Sequence, residues 1–202
     1  MPFVEYTLTC DVLYIGERPK KGATFKPCLK TIPFSQISGA LNSKFGRDDF
    51  KAVGYLIEEP GFNNIEYLIY SPREKALSIS KIPIQVEFIS NVKGKVFILE
   101  TEEIRTLLSD TLEIYLGGLR SKGFGKCMLT EKRYVEENFP AKPKPLNVRI
   151  PIDEVETFKI KRIVNPIYGY LFKPNPDRLT GVYVKSLFEG SLVIAPTFLL
   201  KE

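Results

Sequence analysis

Thirteen consecutive residues without glycine or proline, FVEYTLTCDVLYI from Phe3 to Ile15, constrain the fold more than any other feature. They are rich in β-branched and aromatic side chains and read as a long first strand. The period then changes. In IPFSQISGALNSKFG, Ser35 stands where a helix cap belongs, Ile37, Leu41 and Phe45 recur at four-residue spacing, and Gly46 closes the run. A short amphipathic helix of about three turns follows from that pattern. Gly39 beside Ala40 suggests close packing against a strand or against bound backbone.

Two pairs of apolar runs come next. Phe50 to Ile57 and Ile65 to Tyr70 flank the turn-forming PGFNN, and Ile84 to Ser90 and Lys95 to Glu100 flank Asn91-Val92-Lys93-Gly94, so each pair reads as a hairpin. Thr101 then opens a capping pattern ahead of Ile104, Leu107, Leu108, Leu112 and Tyr115, which predicts a second helix over Thr101 to Leu116. Cys127 to Tyr134 reads as another strand. The order strand, helix, hairpin, helix, strand is that of a βαββαβ ferredoxin-like (RRM-like) α+β sandwich with inserted hairpins. A parallel α/β sheet also alternates strands with helices, but the two hairpin signals oppose it.

FPAKPKP, Phe139 to Pro145, interrupts regular structure and marks a junction. The chain thus divides into a ferredoxin-like part over 1–138, a Pro/Lys-rich junction over 139–147 and a β-rich C-terminal extension over 148–202. In the extension, Val148 to Val164 and Gly181 to Leu200 read as strands, with turns at Asn165-Pro166 and Pro174 to Arg178. The apolar SLVIAPTFLL near the end reads as a buried strand or, alternatively, a subunit interface.

Composition removes several chemistries. The 202 residues contain no histidine, which excludes serine triads and cysteine–histidine pairs. Cys10, Cys28 and Cys127 have no metal-like spacing and form no disulfide framework. No metal site and no cofactor is expected; Asp48-Asp49, beside Phe45-Gly46-Arg47, reads as a solvated turn. The N-terminus lacks a basic leader and no apolar run approaches a bilayer span, so a cytoplasmic protein with no membrane partner is expected. A net charge of +5 favours polyanions.

That charge meets unusual backbone at Gly117 to Lys126, GGLRSKGFGK, where four glycines accompany an arginine and two lysines. A Walker loop would need glycine where Arg120 stands and serine or threonine where Cys127 stands. The dinucleotide fingerprint needs a strand before the glycines and a helix after, the reverse of the predicted order. A tight surface turn with solvated cations is one reading of the segment, and a loop that follows a nucleic-acid backbone is the other.

The segment GGLRSKGFG after an apolar stretch resembles the glycine-rich loop of the RAMP superfamily of CRISPR-associated proteins, and IPFSQISGALNSKF resembles that family's first-helix motif. The resemblance covers about an eighth of the chain. It implies a ferredoxin-like or RRM-like domain whose glycine-rich loop lies against guide RNA (crRNA), with other CRISPR effector subunits as further partners. On that footing the RNA-binding residues would be Gly117, Gly118, Arg120, Ser121, Lys122, Gly123, Phe124, Gly125 and Lys126. Lys20, Lys21, Lys26 and Lys30 of the first basic loop, and Ser35 and Ser38 of the helix motif, would join them.

Arg120, Lys122 and Lys126 would neutralise phosphates while glycine amides donate to them. Phe124 would stack on a base or begin the core of the next strand. Members that cut target RNA carry an acid in the loop after the first strand. Here that loop holds only Glu17, so no catalytic residue is assigned and a non-catalytic subunit of a type III-like effector is implied. The alternative is an endoribonuclease that processes precursor crRNA without a metal, for which Tyr14 and the loop lysines would have to serve as acid and base. Lys142 and Lys144 in the junction are expected to be solvated.

Overall fold

The structure is a computed structural model that describes residues 2–16, 24–72, 81–174 and 180–201. The strands are β1 (Phe3–Leu13), β2 (Phe25–Lys26), β3 (Ala52–Leu56), β4 (Asn64–Tyr70), β5 (Ile84–Leu99), β6 (Leu112–Tyr115), β7 (Lys126–Val135), β8 (Lys144–Pro145), β9 (Ile150–Pro151), β10 (Arg162–Asn165), β11 (Tyr168–Pro174), β12 (Gly181–Leu187) and β13 (Leu192–Ile194). The helices are α1 (Phe34–Phe45) and the single turn α2 (Glu102–Arg105).

β5 is the spine of a seven-stranded sheet. One of its edges pairs with β1 and, beyond the end of β1, with β2; the other pairs with β3 and then β4. β7 pairs with the far side of β1, and β6 with β7. The order β3/β4, β5, β1, β7, with β1 antiparallel to both neighbours, is that of a ferredoxin-like βαββαβ sheet, and β6 is added at its edge. α1 crosses from β1 to β3, as that topology requires.

Neither predicted hairpin exists in the predicted form. β5 runs without reversal through Asn91-Val92-Lys93-Gly94, because β1 pairs with it on both sides of this stretch, from Thr7↔Lys95 to Val12↔Ser90. Asn91 absorbs the irregularity with a positive φ of 49°. β3 and β4 both run antiparallel to β5, so they are two pieces of one broken strand and PGFNN is an excursion between them. Asn63 ties that excursion down by donating to the carbonyls of Ile57 and Lys93, both at 2.9 Å.

The second helix is also shorter than predicted. Thr101 caps α2 as expected, its hydroxyl accepting from the Ile104 amide at 3.3 Å, but the helix stops after one turn. Thr106 closes it, and Leu112 to Tyr115 then alternate, with Leu112 and Ile114 buried and Tyr115 exposed. That period of two belongs to a strand, and pairing with β7 outweighs helix propensity. α1 begins at Phe34 with Pro33, not Ser35, at its cap position, and ends on Gly46 in the left-handed region.

Alternation along β1 divides the core. Val4, Tyr6, Leu8 and Cys10 face one core with Ile37, Leu41 and Ile104 from the helices and Leu108 beyond α2. Phe3 faces the opposite core with Val53, Phe97 and Leu99, where residues 146–200 pack. Phe198 packs tilted at 5.0 Å from Phe3 and 4.8 Å from Phe97, and Phe158 stacks at 5.8 Å from Phe3. Each such aromatic pair adds about 0.5–1.5 kcal/mol beyond the burial of its area. The C-terminal extension is therefore held by the second face of the sheet.

This extension contains two three-stranded sheets, β10-β13-β8 and β11-β12-β9. Lys144-Pro145 already belongs to the first, so regular pairing resumes inside the predicted junction. Val148 to Val164 is broken by a 3-10 turn at Ile152–Glu154, and the predicted terminal strand is confined to Leu192–Ile194 before another such turn at Thr197–Leu199. The predicted turn from Pro174 to Arg178 lies largely outside the described residues.

The half-buried Arg149–Glu189 pair joins the start of the extension to its end, both guanidinium bonds measuring 2.6 Å. Burial alone would raise the Glu189 carboxyl, but the Arg149 and backbone hydrogen bonds outweigh it and hold the group below the ordinary value of 4.5. A depressed carboxylate contributes stability that is present above its unfolded pKa and lost as pH falls through the folded one. Wild-type urea midpoints are therefore expected to fall below about pH 4.5, with a shallower fall in Glu189→Gln. Identical pH profiles for the two proteins would remove this pair from the acid response.

Candidate nucleic-acid interface

The glycine cluster connects β6 to β7 as a hairpin loop, so a strand precedes it where a helix was predicted. The strand that follows is now the departure from the dinucleotide fingerprint. A 3-10 turn over Arg120–Lys122 forms its tip, entered through Leu119 at φ 57° and left through Gly123 at φ 86°.

Backbone contacts lock its base. Gly118 donates to the Tyr14 carbonyl at 2.8 Å, Gly125 to Val12 at 2.9 Å, and Leu116 to Gly125 at 2.9 Å. A Cβ at Gly117 would stand 2.1 Å from the Tyr14 oxygen, and one at Gly125 would stand 2.0 Å from the Leu116 oxygen. These two positions need glycine both for φ (69° and 79°) and for space. Gly123 differs, since nothing lies within 4 Å of its would-be Cβ.

These bonds correct the predicted use of the amides. The N–H groups of Gly118, Gly123 and Gly125 are all satisfied inside the protein, the second by the Arg120 carbonyl at 3.1 Å. The glycines shape the loop, and what it turns outward is side chains. Phe124 likewise does not present its ring: it is 8% exposed and meets Phe88 edge to face at 5.2 Å. Its core reading holds. Phe124→Ala is expected to destabilise the fold by about 3–4 kcal/mol, whereas Phe124→Leu keeps RNA affinity at the wild-type level. A folded Phe124→Leu protein that loses RNA binding would restore the stacking role.

The cations are displayed but engaged. Arg120 is exposed and donates to the Tyr115 carbonyl at 2.9 Å and the Gly117 carbonyl at 3.2 Å, which fixes the direction of its guanidinium. The Lys122 ammonium lies 4.7 Å from the Tyr70 ring centre. Lys126 starts β7 and bridges to Glu113 at 3.0 Å; hydrogen bonding raises the lysine and lowers the carboxylate from their ordinary values. Ser121 is exposed in the tip.

Two of the three buried thiols near the base, Cys127 and Cys28, are held protonated. Cys127 is pushed far up by its hydrogen bond to Cys10 and by burial, the same bond lowers Cys10, and burial pushes Cys28 up to about 11.

Part of the first basic loop arrives at the same end of the sheet. Leu29 donates to the Ile15 carbonyl at 2.8 Å and Gly16 bridges to Cys28, so half-buried Lys26 and exposed Lys30 flank the end of β1 against which the glycine loop packs. Lys20 and Lys21 lie outside the described residues. Tyr14 and Tyr70, which support this surface from below, are contributions that charge and glycine patterns do not reveal.

The first-helix motif does not join it. Ser38 is buried, and its hydroxyl both donates to the Ala52 carbonyl at 3.1 Å and accepts from the Ala52 amide at 2.9 Å. Ala52 pairs with Ile98 and Ile98 with Val4, near the start of β1, whereas Tyr14 follows its end. Ser38 therefore fastens α1 to β3 and is not a surface group. Ser35 is half-buried in the first turn of α1. Gly39 is exposed with nothing near its would-be Cβ, so it does not mediate close packing on a strand.

Elsewhere, Arg47 clamps Asp49 through bonds of 2.7 and 2.6 Å and reaches Glu103 at 2.7 Å, so Asp49 has a structural use. Lys142 and Lys144 are exposed. Among the described residues, no helix is long and apolar enough to cross a membrane.

The fold is shared with solved structures. A chain in the cryo-EM structure of the Type III-B Cmr-beta bound to cognate target RNA and AMPPnP aligns with a TM-score of 0.64 at 10% identity, covering 95% of this chain and 86% of that one. A chain in the structure of the Type III-B Cmr-beta bound to cognate target RNA aligns at 0.62 and 10% identity, covering 94% and 86%. At that identity the likeness is one of fold. No family model and no curated protein matches the sequence.

Proposed function

We propose that this chain is a RAMP-type, non-catalytic subunit of a type III-like CRISPR effector ribonucleoprotein, and that it binds crRNA at the basic end of its ferredoxin-like sheet. The observation that carries this reading is the internally bonded β6–β7 loop, which displays Arg120 and Lys122 at the same end of the sheet as Lys26 and Lys30. Fixed cations on a preformed surface lose little entropy on engaging phosphates and suit contacts that position a backbone without reading sequence. The shared fold with chains of Cmr-beta structures supports the same assignment. Other effector subunits would be its protein partners.

The endoribonuclease alternative gains nothing from Tyr14. Its ring is buried and burial raises its phenol, the wrong direction for a proton acceptor at neutral pH. Incubating labelled repeat RNA with the protein and a chelator separates the two readings. A stable complex with intact RNA is expected; cleavage products would support the enzyme.

A further inference from the structure

We propose that the β11–β12 hairpin is a second RNA-binding surface, a stacking platform for single-stranded bases that is separate from the glycine loop. This rests on the reading of the chain as an RNA-binding subunit. Residues directly opposite in an antiparallel pair share a face, and the register sets Tyr170 beside Lys185 and Phe172 beside Tyr183. Tyr168 lies on that side too, two residues from Tyr170.

The reverse side carries Leu171, 5% exposed, which packs into the core of the extension. On the front, Tyr170 is 66% exposed, Tyr183 50% and Tyr168 48%. Leu171 and Val184 on the reverse, and Leu187 opposite Tyr168, anchor the hairpin in the core, while the three front tyrosines stay exposed.

Charge identifies the occupant. The described residues of 160–188 carry four basic side chains and no acid: Lys185 on the tyrosine face, exposed Lys173 on the reverse, and Lys161 and Arg162 at the start of β10. That excess of four is most of the +5 carried by the whole chain. Lys185 lies 4.0 Å from the centre of the Tyr168 ring, so a cation and an aromatic face are presented together. Successive rings on one strand face are about 7 Å apart, enough to admit one flat base between them. Exposed tyrosines with a lysine on the same face, in a segment whose described residues carry no carboxylate, suit single-stranded nucleic acid, where bases stack and phosphates pair with cations. A protein-docking face would have little use for so one-sided a charge.

The chain has no tryptophan, so Tyr170→Trp supplies a single indole, selectively excitable over the tyrosines, that preserves a stacking ring. Its emission is expected to be quenched on titration with an unstructured oligouridylate of about 20 nucleotides. Tyr170→Ala with Tyr183→Ala is expected to weaken that RNA about tenfold at constant salt without changing the salt slope. Lys185→Ala, by contrast, flattens the slope by about 0.7.

If the wild type binds RNA and the glycine-loop variants weaken it, while the hairpin variants bind normally and the indole emission of Tyr170→Trp is not quenched, the platform is refuted and the proposed function stands. If the folded wild type binds no RNA, both fall. Hairpin variants that keep RNA affinity but lose association with effector subunits would overturn the platform in favour of a protein contact.

Discussion

Gly125→Ala is expected to lower the free energy of unfolding by about 3 kcal/mol. The added carbon would stand 2.0 Å from the Leu116 carbonyl oxygen, at a φ of 79° that L side chains avoid. Relief requires moving the end of β6 or breaking the Gly125 bond to Val12, and both hold the loop against β1. Gly123→Ala is the control. It has a similar φ but open space around it, so it costs about 1–2 kcal/mol from backbone conformation alone. Urea denaturation of the two variants measures the difference, and equal losses would mean that the close approach at Gly125 relaxes without cost.

Arg120→Ala with Lys122→Ala is expected to weaken RNA binding at least tenfold near 0.1 M salt and to flatten the salt dependence by about 1.4 in log–log slope, two contacts at about 0.7 each for single strands. Stability should change little, because both side chains are exposed and their partners are carbonyls at the protein surface and one ring face. Gly123→Asp with Arg120→Ala goes further, since it places a carboxylate in the open space at the loop tip while removing a cation. If either double variant folds and binds RNA as the wild type does, the loop is ornamental and the basic end of the sheet is not the grip.

What was legible in the sequence was what local chemistry determines. The first strand, the extent of α1, its Gly46 stop and the Thr101 cap all follow from side chains acting on their own neighbours. The errors lie where a partner decides. Asn91-Val92-Lys93-Gly94 has the composition of a turn, yet β1 holds it straight. Leu107 to Tyr115 carries apolar residues compatible with a helix, yet β7 draws Leu112 to Tyr115 into the sheet. Register with a distant strand is not written in either segment.

The same distinction governs the site. The glycine loop was visible because bare backbone and positive charge coincide in ten residues. Its internal bonds were not, because Tyr14 and Val12 are more than a hundred positions away. A phenylalanine between two glycines looks available for stacking until Phe88 is found against it. Ser38 was similarly misread, because Ala52, fourteen residues on, takes its hydroxyl. The tyrosines of β11 and β12 gained meaning only when pairing put them on one exposed face.

The central claim, that this chain grips RNA through fixed cations, is tested most directly by fluorescence anisotropy of labelled repeat-derived RNA titrated with wild-type protein between about 50 and 200 mM salt. The predicted result is binding that weakens linearly in log–log coordinates, with a slope of several units that is reduced in Arg120→Ala with Lys122→Ala. Folded protein that leaves the anisotropy unchanged at the lowest salt would contradict it.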